Sequence, residues 1–131
     1  MAGNIKKVVV DASVILARLL PDEKRVIKIE RLYEDFLKKE VDFVAPNLLS
    51  YEVANALRSA VRQKRITENL AEEMLSLFLV LPIEFEEVNY AQVLSLALKR
   101  DLSVYDASYL WLAKKKKIGV VSLDKRLERV F

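Results

Sequence analysis

Two periodicities organise the apolar positions of this chain. Val8, Val9 and Val10 follow Ile5 with no polar alternation, which is how a strand covered on both faces reads, and so predicts a central parallel strand. Residues 118–122 form a second continuous apolar run, and residues 41–45 a shorter strand closed by Pro46. After Pro82, Ile83 and Phe85 alternate against Glu84 and Glu86, predicting a strand near a sheet edge with the glutamates on its wet face. Spacings of three and four fill the intervals: residues 12–20 up to Pro21, 23–39, a segment capped by Asn47 running to 64, and one capped by Thr67 running to 81. Asn89 with Gln92 resembles a capping box for a helix to 100, and Ser103 caps another over 105–117. A short helical turn is expected over 124–129. Strands alternating with helices predict an α/β protein, a three-layer α/β/α sandwich on a mostly parallel sheet.

The segment ending at Leu81 is apolar on more than one face (Met74, Leu75, Leu77, Phe78, Leu79, Val80). The preferred reading is a helix wedged in the core; the alternative is that part of it is a homodimer interface. With 131 residues, 53% of them hydrophobic, and no internal repeat, one domain over residues 1–131 is expected. The run 8–20 is broken by Asp11 and Arg18 and lacks a cleavage site, so it is neither a signal peptide nor a membrane span, and a cytoplasmic protein is expected.

Composition narrows the chemistry. The chain has no Cys and no His, which removes thiolate nucleophiles, sulfur-ligated metals and the commonest zinc ligand. Two glycines, Gly3 and Gly119, exclude a glycine-rich phosphate loop. An enzyme built from what remains relies on carboxylates, and carboxylates without imidazole imply a hard cation, Mg²⁺ or Mn²⁺. The net charge of +3 is compatible with a nucleic-acid partner without demonstrating one.

Asp11 ends the first strand and so lies at the carboxyl edge of the sheet, where open α/β folds bind ligands. Asp124 follows the last clear strand, on the same edge if the two are parallel. Each also precedes a helical segment, so a capping role is the plainer account of either alone. Asp106 heads a stripe with Tyr109, Leu110 and Ala113 that faces inward, where function weighs evenly against a structural role as a cap or in helix-dipole compensation. Glu52 sits inside a helix where it cannot cap, on a stripe with Asn55 and Ser59 flanked by Ala56 and Ala60; small neighbours suit a cleft wall, against the plain alternative of an exposed glutamate.

Together the runs VVVDASVIL, LLSYEVANAL, LSVYDASYLWLAKK and VVSLDKRL resemble the four acidic blocks of the PIN-domain ribonucleases, in order and across nearly the whole chain, and in particular the VapC-type toxins of toxin–antitoxin pairs. The resemblance implies a PIN-like α/β/α sandwich, Mg²⁺- or Mn²⁺-dependent cleavage of RNA, homodimers and an inhibitory antitoxin. It assigns the four acids to Asp11, Glu52, Asp106 and Asp124, with Ser13 and Ser122 at the hydroxyl positions beside the first and fourth. The chain ends at Phe131, so a final edge strand is expected to be short or absent.

Two like charges about 4 Å apart repel by about 4 kcal/mol at an effective dielectric near 20, so four clustered carboxylates need either a divalent cation or protonation. On this reading Asp11, Asp106 and Asp124 hold the metal directly or through water, and Glu52 positions or deprotonates the attacking water. Ser13, Ser122 and Asn55 support the carboxylates from behind. Arg58, Arg62, Lys125 and Arg126 are the candidate phosphate contacts, while Lys114 to Lys117 read as solvated. Tyr105 and Tyr109 could stack on bases, with core packing the preferred account of both. Two rival readings are a non-catalytic PIN-like module binding RNA or protein, and an aspartyl-nucleophile phosphohydrolase. The latter usually needs an acid where Ser13 stands.

Overall fold

The computed structural model describes residues 5–124. The turn expected beyond Asp124, with Lys125 and Arg126, lies outside the described residues. Four strands make one parallel sheet in the order β3-β2-β1-β4: β1 (Lys6–Val10), β2 (Val41–Pro46), β3 (Glu84–Glu86) and β4 (Gly119–Val121). The uninterrupted valines of β1 are explained by its place: Val9 lies opposite Val44 on one side and Val120 on the other, and Val9 and Val10 are fully buried.

The connections are helical: α1 (Ala12–Leu19) and α2 (Ile27–Leu37), then α3 (Leu48–Arg62) and α4 (Glu68–Leu79), then α5 (Tyr90–Arg100) and α6 (Val104–Lys116). From β1 the chain steps to β2 and β3 in one direction, then returns past β1 to β4. Right-handed crossovers therefore put α1 to α4 on one face and α5 with α6 on the other, and the three layers follow. The reversal also creates a switch point between β1 and β4, at their carboxyl ends. One side of the core is built on Phe43 of β2, stacked on Phe36 at 4.1 Å between ring centroids, with Tyr33 edge-on to both.

The structure departs from the sequence pattern in four places. α2 starts at Ile27 rather than at residue 23, because Asp22 and Glu23 turn instead toward Arg65, whose guanidinium grips Asp22 at 2.7 and 2.8 Å. Asn47 stands at the cap position of α3 but is itself helical (φ −55°, ψ −25°) and makes no capping bond with its side chain. In β3 the facing is inverted: Phe85 is exposed, whereas Glu84 and Glu86 are half-buried because Lys7 of β1 and Lys116 of α6 supply cations to that face. The end of α4 is not wedged in the core, since Met74 and Phe78 are buried while Leu77, Leu79 and Val80 face outward.

Candidate active site

Asp11 is the first residue beyond β1 and the N-cap of α1, so the plain capping role and a place at the switch point coincide in one side chain. Oδ1 accepts from the Ser13 amide at 3.1 Å and from Ser13 Oγ at 2.5 Å, while Oδ2 accepts from Ser122 Oγ at 2.5 Å. The two serines knit β1 to the end of β4: Leu123 N donates to Ser13 Oγ at 2.8 Å, and Asp124 N donates to Ser122 Oγ at 2.9 Å. Asp124 is therefore carried to Asp11 by a backbone bond to the same hydroxyl that holds Asp11. Burial pushes the Asp11 carboxyl above its usual range, and the Ser122 and Ser13 hydroxyls oppose that shift.

Glu52 approaches from the first half of α3 and is half-buried, not exposed. Its Oε1 accepts a hydrogen bond from the hydroxyl of Tyr109 on α6. Burial raises the Glu52 pKa most, the Tyr109 bond opposes it, and the charges of Asp11 and then Asp106 raise it further. The same two aspartates and Glu52 add to the burial that pushes the Tyr109 hydroxyl far up, so it stays a neutral donor. Asp106 lies in the first turn of α6, where Ser103 already caps the helix by accepting from the Asp106 amide at 3.0 Å. The capping account of Asp106 thus falls away, while its place at a positive helix end remains favourable.

Asp11 and Asp106 thus lie near Glu52, and the Asp124 backbone is tied to Asp11 through Ser122. The other candidates divide. Ser13 and Ser122 are in the site; Asn55 is exposed one turn after Glu52. Arg58 and Arg62 are exposed about 9 and 15 Å further along α3, in a groove shared with Glu68 and Glu72 of α4, and are not brought to the acids. Lys116 is engaged by Glu84 and Glu86. Tyr105 is 61% exposed, contrary to the core packing expected of it, being turned about 100° round α6 from Asp106. Tyr109 is buried as expected, but its bond to Glu52 was missed. The available signal was that a buried tyrosine needs a partner for its hydroxyl, and Tyr109 stands three residues after Asp106 on the same inward stripe.

The donor set is all oxygen, which suits Mg²⁺ or Mn²⁺. Among the described residues no three carboxylates stand close enough to ligate one ion directly.

Known proteins share this frame. The chain is 34% identical over 133 residues to ribonuclease VapC3 of Pyrobaculum aerophilum, covering 95% of each protein. It is 30% identical over 122 residues to VapC ribonuclease Mb0985 of Mycobacterium bovis, covering 92% of this chain and 87% of the other. Among solved structures, PAE2754 of Pyrobaculum aerophilum superposes with a TM-score of 0.73 at 24% identity, over 96% of this chain and 85% of that one. Mycobacterium tuberculosis VapC20, a sarcin–ricin-loop-cleaving toxin, superposes with a TM-score of 0.69 at 18% identity, over 94% of each; both likenesses show the fold alone. Residues 8–130 match the family described as the PIN domain, a span that takes in all four acidic blocks and the switch point they share, and the chain belongs to that family.

Proposed function

We propose that the protein is a divalent-metal-dependent endoribonuclease acting in the cytoplasm as the toxin of a toxin–antitoxin pair. The observation that carries this reading is the approach of Asp11 and Asp106 to Glu52, close enough for both charges to act on it, with the Asp124 backbone tied to Asp11 through Ser122. The names of its relatives, ribonucleases from Pyrobaculum aerophilum and Mycobacterium bovis, support it.

On this reading Asp11, Asp106 and Asp124 would hold Mg²⁺ or Mn²⁺, directly or through water. When bound, the cation lowers the pKa of a coordinated water and offsets negative charge on the scissile phosphate. Glu52 takes the proton from the attacking water; its raised pKa makes it a better base than an ordinary glutamate. Tyr109 fixes which way that carboxylate points. Ser13 and Ser122 hold Asp11 in one rotamer, so that its orientation does not depend on the ion. Attack at phosphorus with departure of the 3′ oxygen leaves a 5′-phosphate and a 3′-hydroxyl end. An antitoxin and a second copy of the chain are the expected protein partners.

The test is incubation of the purified protein with an RNA pool in Mn²⁺ or in EDTA, followed by mapping of fragment ends. Cleavage in Mn²⁺ alone is expected, with Asp11→Asn and Asp124→Asn each inactive yet folded by circular dichroism. Full activity in both variants would end the assignment.

A further inference from the structure

Each helix that brings a second acid to Asp11 also carries a tyrosine immediately before that acid: Tyr51 before Glu52 on α3, and Tyr105 before Asp106 on α6. Consecutive helical residues point about 100° apart, so each ring is turned away from the acid beside it. Both rings are in water, Tyr51 80% and Tyr105 61% exposed, and Tyr90 at the start of α5 is 78% exposed. All three line one cavity of about 270 Å³ at the carboxyl ends of β2 and β3, next to the acidic site.

Two carboxylates and an amide stand on the wall of this cavity. Asn47, whose side chain makes no capping bond, and the exposed carboxylate of Glu87 line it, as does Glu86, which Lys116 holds at 2.6 Å. Among the described residues no lysine or arginine lines it. A carboxylate on the wall of a cavity accepts N–H donors, while exposed aromatic rings are the usual platform for unpaired bases. Guanine presents two neighbouring N–H donors on its pairing edge, whereas uracil presents one between two carbonyl oxygens.

We propose that this cavity is a nucleobase subsite, in which Tyr51, Tyr90 and Tyr105 stack an unpaired base of single-stranded RNA and Glu87 selects guanine over uracil, next to the phosphate to be cut. The subsite deepens the ribonuclease reading and rests on it for its substrate class.

The experiment measures fluorescence anisotropy of fluorescein-labelled oligouridine, with and without one central guanosine, against the full chain in EDTA, with Mn²⁺ cleavage kinetics in parallel. Tighter binding of the guanosine oligonucleotide is expected. Tyr51→Ala and Tyr105→Ala should each weaken that binding about 5- to 150-fold, the range that base–aromatic stacking supplies, while the Phe variants keep it. Glu87→Gln should abolish the preference for guanosine, and the Ala variants should raise KM far more than they lower kcat. Wild-type affinity in the Ala variants, or no binding of either oligonucleotide, overturns the proposal. So does a change of self-association in sedimentation at unaltered RNA affinity, which assigns the rings to a contact between copies. Tyrosine-dependent binding without cleavage keeps the subsite and removes the ribonuclease reading; cleavage without tyrosine dependence does the reverse.

Discussion

Glu52 is a carboxylate in a place that disfavours its charge, and that has a consequence for stability. Its pKa in the folded protein is raised, by burial first and then by Asp11 and Asp106, so the folded chain binds this proton more tightly than the unfolded chain does. Stability from this group is fully present below the ordinary glutamate value of about 4.3, falls as pH rises through the raised value, and is level above it. Urea unfolding across that window, without divalent cation, should show the decline, and Glu52→Gln should flatten it. Tyr109→Phe removes the one hydroxyl that opposes the shift, so the decline should extend to higher pH, with a further loss of about 1.5 kcal/mol at neutral pH from the missing bond to a charged acceptor. A variant whose profile matches the wild type would show that Tyr109 does not hold Glu52.

At the scale of the element, four segments in a chain with two glycines end on left-handed residues that are not glycine: Lys39, Lys64, Asp101 and Lys117, with φ between 54° and 63°. At Lys64 the closure of α3 is complete, with Lys64 N bonding Val61 O and Arg65 N bonding Ala60 O, both at 2.9 Å. A left-handed residue with a Cβ costs about 1–2 kcal/mol, against about 0.5–1 kcal/mol of extra backbone freedom that glycine loses on folding. Lys64→Gly should therefore stabilise the protein by roughly 0.5 kcal/mol, seen as a rise in Tm of about 2 °C. An unchanged or lower Tm would mean that Lys64 contributes something its backbone does not reveal.

Over the whole molecule, the order β3-β2-β1-β4 does two things. It brings the end of β1 beside the end of β4, so that residues 111 positions apart, Asp11 and Ser122, share a hydrogen bond. It also leaves α4 on the outside, with Leu77, Leu79 and Val80 exposed at 60%, 62% and 77%. An apolar patch at one helix end is a natural contact between copies, and a homodimer is expected from the family. Leu77→Glu combined with Val80→Glu should shift the protein toward monomer in sedimentation equilibrium, with folding stability changed by no more than about 0.5 kcal/mol because both residues are at the surface. A dimer that persists undiminished would place the contact elsewhere.

How much could be read without coordinates follows from the range of the forces involved. The elements, most of their caps and the central place of β1 were legible, because propensity, periodicity and capping act within a few residues: Thr67, Asn89 and Ser103 cap where their spacing says they should. What stayed hidden depends on partners distant in the chain. The facing of Glu84 and Glu86 was decided by Lys7 and Lys116, the start of α2 by Arg65, and the bond from Tyr109 to Glu52 by the packing of α6 against the sheet. The alternation of apolar residues says that a side chain seeks cover; only the tertiary structure decides which ion or hydroxyl it meets there.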